Sequence, residues 1–376
     1  MTGRQLAQIL SLLAPFAVSP LAAAAQSPVT RVPSANDIAA NQATLDRLWR
    51  LESPASSARR MPKLLVYYDL EGMSRVTTLA EATWESGSVA NERGRAAATR
   101  DVLAVFAGLR SAGIDSVGIV DYHGGDDGRD VVMSALPKGT YRIPRNTVDT
   151  LPRGAYDGVL FVGMHTGPNG GGFLAHTMSV SVDVRLNGRS VNESECEAAR
   201  WGRIGVPVLF VSGDDRLEME LRGSMPWIEF VTVKHARGFA SVDTLPLADV
   251  ERALSDAARR AVERRARARV PRVITPLHVA VRTFGPGALG ERLAGLPGLT
   301  VVGTETRFTS ADISTAVPAV ESIAGLATQR FIQRAMSRAA SDSAVRAAMD
   351  RALVQMNHDY AATMDAAVTT PSPTQR

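Results

Sequence analysis

Residues 63–72, which read K-L-L-V-Y-Y-D-L-E-G, constrain the fold of this chain more than any other stretch. An apolar run with aromatic and β-branched members is typical of a buried strand. Because alternate residues of a strand point to the same side, Asp69 and Glu71 are expected to leave the strand end together before Gly72 turns the chain. Two carboxylates at such an end suit a hard cation or a dinuclear metal centre. The alternative is one solvated acid and one helix-capping acid.

The rest of the chain alternates predicted strands and helices, which indicates an α/β fold. Further strands are predicted at residues 116–121, 156–164, 178–186, 206–211, 227–234 and 271–284. Helices are predicted at 35–51, 91–112, 194–202, 247–267 and 311–326, with one or two more within 330–362. We therefore predict a three-layer sandwich around a mostly parallel sheet, with a smaller α+β C-terminal domain and a helical tail.

The predicted domain boundaries follow the changes in composition and pattern along the chain. They are a signal peptide at 1–25, a linker or N-terminal arm at 26–61, a metal-binding catalytic α/β domain at 62–265, an α+β domain at 266–329, and a helical C-terminal extension with a disordered end at 330–376.

The first 25 residues have the pattern of a secretory signal peptide. Arg4 supplies the positive start, residues 9–18 are mostly apolar, and residues 21–25 end in small residues before Gln26. The apolar part is too short to span a membrane, and no later segment has eighteen consecutive apolar residues. We therefore expect an exported protein, periplasmic or extracellular, without a membrane span.

The composition argues against a nucleic-acid-binding protein. The formal net charge is +4, and only residues 259–269 form a dense basic run, which lacks interleaved aromatics and is typical of a solvated helix face. The single cysteine, Cys196, has no partner for an intramolecular disulfide, and we predict a small core residue there rather than a catalytic thiol.

Further metal-ligating residue types follow the predicted strands. His123 and His165 come at the ends of the next strands along the chain, and Glu193 opens a predicted helix. Two carboxylates and two imidazoles, with another carboxylate to bridge, form the ligand set of a two-zinc hydrolase. A lone histidine is more often a core or surface residue, but the convergence of these side chains on one sheet edge favours a site.

Six motifs add a specific resemblance. They are D-L-E-G at Asp69, N-E-R-G-R at Asn91, V-D-Y-H at Val120, G-M-H-T-G-P-N-G-G-G-F-L-A-H-T-M at Gly163, L-N-G-R-S-V-N-E at Leu186 and V-P-V-L-F-V-S-G-D-D at Val206. Through these motifs, residues 63–327 resemble the zinc-dependent D-aminopeptidases of the dipeptide-operon (DppA) type. The spacing of His165 and His176 also agrees with that family.

The resemblance implies a role for each candidate residue. Asp69 would bridge two zinc ions, Glu71 and His123 would complete the ligands of one ion, and His165 and Glu193 those of the other. His176 would be the catalytic residue, as base or as nucleophile, and not a ligand. The family also implies a ring-shaped homo-oligomer, and no organic cofactor is expected.

We therefore expect an exported dinuclear zinc aminopeptidase that removes the amino-terminal residue of short peptides, D-alanyl peptides among them. The alternatives are a periplasmic peptide-binding protein without turnover, and an amidase or L-specific aminopeptidase on the same site. The complete residue set argues against the binding protein, whereas the choice between D and L substrates depends on pocket shape. Asp214, Asp215 and Lys234 match family positions without a derived role; Asp214 is expected either to support a metal-bound histidine or to cap a loop.

Overall fold

The computed structural model of the chain describes residues 35–55, 61–82, 88–123, 130–339, 341–344 and 347. The chain divides into two compact units, one of residues Ala23–Arg330 and one of Met1–Ala22 with Phe331–Arg376. The predicted signal peptide and the end of the predicted tail lie outside the described residues. Within the described ranges, no helix is long and apolar enough to cross a membrane.

The described helices and strands alternate through most of the chain. The helices are α1 (Ala35–Ala43), α2 (Leu45–Leu48), α3 (Val89–Ser111), α4 (Glu193–Arg203), α5 (Asp215–Ser224), α6 (Leu247–Glu263) and α7 (Ile313–Ala339). The strands are β1 (Trp49–Glu52), β2 (Leu64–Tyr68), β3 (Val117–Asp121), β4 (Thr140–Arg142), β5 (Gly158–Val162), β6 (Val182–Leu186), β7 (Arg189–Ser190), β8 (Val208–Asp214), β9 (Glu229–Gly238), β10 (Ser241–Thr244), β11 (Val270–Val273), β12 (Leu277–Thr283), β13 (Thr300–Val302) and β14 (Glu305–Ser310).

A seven-stranded sheet in the order β10-β9-β8-β5-β2-β3-β4 forms the centre of the fold. The strands from β9 to β4 are parallel to their neighbours, and only the edge strand β10 runs antiparallel. The apolar run predicted as a buried strand is β2, which lies between β5 and β3 and is buried along its whole length. The prediction of a mostly parallel sheet is confirmed.

A second sheet is antiparallel and has the order β13-β14-β12-β6-β7. Its strands β6 and β7 come from the chain between β5 and β8, whereas β12 to β14 come from residues 277–310. The second sheet therefore joins segments on both sides of the predicted boundary at residue 265, and that boundary stays a prediction.

Alternate residues of β2 pack into two different cores. Leu65 and Tyr67 belong to a core shared with α4, the second sheet and α7. Leu64 and Val66 belong to a core shared with α3 and α6. Because successive side chains of a strand point to opposite faces, one strand serves both cores and the central sheet becomes the middle of three layers.

Two predicted elements have different boundaries. The helix predicted over residues 35–51 ends early, because Trp49–Glu52 form β1 and pair with β11. The single strand predicted at 271–284 is two strands, β11 and β12. Both differences have one cause: β11 pairs with the N-terminal arm, whereas β12 pairs with β6 and β14.

Candidate metal centre

Three neighbouring parallel strands deliver the predicted ligands to one edge of the central sheet. Asp69 follows β2 directly, His123 lies two residues beyond β3, and His165 lies three residues beyond β5. Since β2 is paired in register with both β3 and β5, their carboxyl ends meet at the same edge. All three side chains are buried there.

Gly72 allows the loops after β2 and β5 to touch. Its N–H donates a hydrogen bond of 2.7 Å to the carbonyl of Gly163. A Cβ atom at Gly72 would lie 1.9 Å from the carbonyl oxygen of Met164, a distance that no side chain can occupy. Glycine is therefore required here for close approach of two backbones.

Glu193 reaches the same edge from the first turn of α4. The helix start is fixed by a capping box, in which the Asn192 side chain accepts from the backbone N–H of Glu195 and the Glu195 carboxylate accepts from that of Asn192. The Oε1 atom of Glu193 also accepts a hydrogen bond of 2.6 Å from the backbone N–H of Met178.

Asp69, Glu71 and His123 form the first group of possible ligands. The Nδ1 atom of His123 lies 3.1 Å from Oδ1 of Asp69 and 3.0 Å from Oε2 of Glu71. Asp121 holds the histidine backbone in place, because its Oδ1 accepts a hydrogen bond of 3.1 Å from the His123 N–H.

Asp69, His165 and Glu193 form the second group. The Nε2 atom of His165 lies 3.5 Å from Oδ2 of Asp69 and 3.7 Å from Oε1 of Glu193. Asp69 therefore belongs to both groups and presents a different carboxylate oxygen to each histidine. This is the arrangement expected of a bridging carboxylate.

His176 lies beside the second group. Its Nε2 is 3.7 Å from Oε1 of Glu193, and its ring stacks on that of His165. Its Nδ1 lies 2.7 Å from the carbonyl oxygen of Leu174, and since a carbonyl only accepts, Nδ1 carries a proton; in the neutral ring Nε2 then has the lone pair. The side chain of His176 is 17% exposed, against 1–8% for the other five residues of the cluster.

The carboxylates of the cluster favour positive charge on the imidazoles. Burial alone would lower the pKa of both histidines, but Glu71 and Asp69 raise the pKa of His123 well above its usual value. Asp69 and Glu193 likewise raise the pKa of His165 to about 10. Burial opposes ionisation of Asp69, yet the hydrogen-bonded imidazole of His123 and the nearby imidazole of His165 hold its pKa well below the usual range. The site therefore stabilises a cationic charge, whether a proton or a metal ion.

A buried nitrogen without a hydrogen-bond partner also indicates that these side chains could bind a metal. The Nε2 atom of His165 is buried without a hydrogen-bond partner and faces the carboxylates of Asp69 and Glu193. An unpaired buried nitrogen is costly, and a metal ion would satisfy it. His165 Nδ1 donates to the carbonyl of Thr166 at 3.0 Å, which is the contact that orients a metal-bound histidine.

Comparison with known proteins decides the family. A family model described as Peptidase_M55, D-aminopeptidase, matches residues 62–322. The chain belongs to this family. Among its relatives in the M55 family, the D-aminopeptidase of Bacillus subtilis (strain 168) is 30% identical over 200 residues, which cover 52% of this chain and 71% of the relative.

The M55 fold is also seen in a solved structure, the Zn-dependent D-aminopeptidase DppA from Bacillus subtilis, a self-compartmentalizing protease. It matches with a TM-score of 0.64 and 24% sequence identity, over 71% of this chain and 98% of that chain. The family membership identifies this chain as a metallo-aminopeptidase.

The structure brings all six predicted site residues of this M55 peptidase into one cluster. His176 lies close enough to Glu71 and His165 to share a cation with them, so its role as a catalytic residue and not a ligand stays a prediction. Cys196 is buried in the core, as predicted, and burial raises its pKa well above the usual value. His235 and His278 are not part of the cluster, and His358 lies outside the described residues.

Asp214 caps a helix and supports the glycine-rich loop. Its Oδ1 accepts from the backbone N–H groups of Arg216 and Leu217, and its Oδ2 accepts from that of Phe173 at 2.9 Å. A Cβ atom at Gly172 would lie 2.7 Å from this Oδ2. Of the two roles expected for Asp214, the hydrogen bonds favour the loop cap.

In the sequence alone, Lys234 has no derived role and Glu220 is not singled out, although Lys234 hydrogen-bonds to the backbone of Glu71 and Glu220 to that of Gly167. A lysine inside a strand that reads as buried is itself a signal. Glu220 lies on the amphipathic helix α5 and nothing in its local pattern separates it from the surface acids of that helix.

Proposed function

We propose that this chain is an exported dinuclear zinc aminopeptidase that hydrolyses the amino-terminal peptide bond of short peptides, with D-amino-acid peptides such as D-alanyl peptides as its substrates. The observation that carries the proposal is the placement of Asp69, whose two carboxylate oxygens face the imidazoles of two different ligand groups. The family membership supports the peptidase class, and the zinc dependence of the B. subtilis structural relative supports the choice of metal.

In this proposal the two ligand groups share Asp69. Glu71 and His123 would hold one zinc ion with it, and His165 and Glu193 would hold the other. Zinc held by these residues would lower the pKa of water and would polarise the scissile carbonyl.

In this reaction His176 acts either as the base that takes a proton from the attacking group or as the nucleophile that attacks the scissile carbonyl. Its Nδ1–H is held by the Leu174 carbonyl, so the Nε2 lone pair faces the carboxylate of Glu193 and the metal edge. A histidine with a free Nε2 can take a proton from the attacking group and return it to the leaving amine. The same lone pair would serve if His176 were the nucleophile.

The backbone on either side of His176 supports a functional role for this loop. Leu174 and Met178, on either side of His176, both adopt positive φ angles of 49° and 63°. Such angles are unusual for residues other than glycine and occur where the surrounding structure fixes a functional loop. The backbone N–H of His176 donates to the Thr166 carbonyl at 3.1 Å, which ties this loop to the segment after His165.

Export and assembly complete the proposal. The basic, apolar and small-residue pattern of residues 1–25 supports export to the periplasm or the cell exterior. The B. subtilis structural relative is a self-compartmentalizing protease, which supports a ring-shaped homo-oligomer for this chain.

The function is tested by measuring hydrolysis of two matched dipeptides, one with amino-terminal D-Ala and one with L-Ala, by a protein of residues 26–376. We expect release of D-Ala that is lost with a chelator and restored by zinc, and slower release of L-Ala. Faster release of L-Ala would mean that the proposed metal site stands but that the enzyme prefers L-peptides. No release of either residue by the zinc-loaded chain would favour a peptide-binding protein.

A further inference from the structure

Lys234 is a buried lysine whose hydrogen bonds all end in the loop that begins with Glu71. The side chain is fully buried in β9, and Nζ donates to the carbonyl oxygens of Glu71 at 2.5 Å, Met73 at 2.9 Å and Val76 at 2.6 Å. These three bonds use all the ammonium protons. The loop is therefore wrapped around the lysine, and the backbone of one ligand residue is fixed by it.

Glu220 makes corresponding contacts with the segments that carry His165 and Glu193. Its Oε2 accepts hydrogen bonds from the backbone N–H of Gly167 at 3.2 Å and from the side-chain amide of Asn192 at 2.9 Å. Gly167 lies two residues after His165, and Asn192 is the cap residue that precedes Glu193. One carboxylate thus ties together the two segments that carry the ligands of the second group.

The glycine-rich loop packs closely against the carboxylate of Glu220. A Cβ atom at Gly170 would lie 2.4 Å from Oε1 of Glu220 and 2.5 Å from Cβ of Thr166. The glycine-rich loop therefore lies directly on the carboxylate. Burial raises the pKa of Glu220 to about 7.

We propose that Lys234 and Glu220 are positioning residues, each for one half of the metal centre. Lys234 fixes the half made by Glu71 and His123, and Glu220 fixes the half made by His165 and Glu193. This inference rests on the proposed two-zinc function. Its physical basis is that hydrogen-bonded supports of ligand residues determine their geometry, and loss of such a support weakens metal binding.

The test measures zinc affinity in chains that keep only one half of the centre. Glu193→Gln removes a ligand of the second group and leaves the first, whereas Glu71→Gln leaves the second. Lys234→Met is then added to each of these chains, and Glu220→Met is added in the same way. Methionine keeps the unbranched shape of both side chains and removes their charge. Zinc dissociation constants are measured by competition with a chromophoric chelator.

We expect Lys234→Met to weaken zinc binding by about 10- to 100-fold in the Glu193→Gln chain and to leave it unchanged in the Glu71→Gln chain. Glu220→Met should give the opposite pattern. Lys138→Met, an exposed lysine, and Glu218→Met, on the same helix as Glu220, are the matched controls and should change neither affinity.

Equal weakening of both halves by either substitution, with a lower unfolding temperature, would mean a general structural role and would overturn the inference. Unchanged affinities in both halves would overturn it as well. If the methionine variants do not fold, Lys234→Gln and Glu220→Gln are milder replacements. Lys234→Gln should again weaken only the first half of the centre, and Glu220→Gln only the second. A chain with all its ligands that binds fewer than two zinc ions would contradict the proposed function itself, whereas two ions with equal losses would contradict only this inference.

Discussion

The imidazole rings of His165 and His176 stack, with centroids 4.2 Å apart and planes at 17°. Each ring is held through Nδ1 by a backbone carbonyl, that of Thr166 for His165 and that of Leu174 for His176. Both Nε2 atoms therefore lie 3.7 Å from the same oxygen of Glu193. The two histidines thus share the same kind of Nδ1 support and differ in exposure, which is consistent with the prediction that the buried one binds a metal and the more open one acts on the substrate.

Replacement of His176 is predicted to separate catalysis from metal binding. We expect His176→Ala to keep the zinc content and the fold, and to lower turnover by about 10²- to 10⁴-fold, since a positioned acid–base group contributes that much. Zinc analysis and peptide hydrolysis on the same sample check this. His278→Ala, at an exposed histidine of β12, is the control and should keep full activity. A fully active His176→Ala chain would contradict the catalytic assignment.

Asp69 is predicted to be needed for both metals. Asp69→Ala removes the carboxylate that belongs to both the Glu71–His123 group and the His165–Glu193 group, so zinc content should fall to about zero, whereas Glu71→Ala or Glu193→Ala should each spare one site. Metal analysis after dialysis measures this. Asp115→Ala, at an exposed position, controls for the loss of a carboxylate. Two zinc ions retained by Asp69→Ala would show that it does not bridge.

Two glycine-to-alanine substitutions should have opposite signs. Gly72→Ala places a Cβ atom 1.9 Å from a backbone oxygen, so it should destabilise the fold by about 1–3 kcal/mol and disturb the ligand loop. Gly325→Ala lies in α7 with no atom within 4 Å of the new Cβ, so it should stabilise by about 0.5–1 kcal/mol. Chemical denaturation measures both. A neutral Gly72→Ala would contradict the close approach of the two loops.

Asp101 should make the stability depend on pH in the acid range. Burial raises the pKa of Asp101 to about 6 although Ser74 donates two hydrogen bonds to its carboxylate. The folded chain then binds more protons than the unfolded chain between about pH 4 and pH 6, so the free energy of unfolding should fall as pH rises through this window, by up to about 3 kcal/mol.

The control for this effect is Asp101→Asn, which cannot ionise. Between pH 4 and pH 6 the unfolding free energy of the original chain should fall relative to that of the variant. Denaturation of both chains without metal measures this difference. A difference that stays constant across the window would mean that Asp101 titrates normally.

The placement of the predicted ligands at one sheet edge could be predicted from the sequence because their signals are local. Asp69 and Glu71 follow an apolar run directly, and the placement of His123 and His165 needs only the rule that parallel strands end at one edge. The position of His176 required the family motif, because a glycine-rich loop has no periodicity from which to derive it.

What the sequence did not predict depends on contacts between distant segments. Strand β1 exists because its backbone pairs with β11, more than 200 residues further on, and nothing in W-R-L-E separates it from the end of a helix. Lys234 binds the carbonyls of a loop about 160 residues before it. Backbone carbonyls have no sequence signature, so such a partner is found only in the folded chain.

The central claim is a centre of two zinc ions bridged by Asp69, and the number of zinc ions bound per chain tests it most directly. Residues 26–376 are stripped of metal, titrated with zinc and analysed for metal after removal of the free ion. We expect two zinc ions per chain, and none in Asp69→Ala. One ion or none in the unsubstituted chain would contradict the two-zinc centre, whatever the activity.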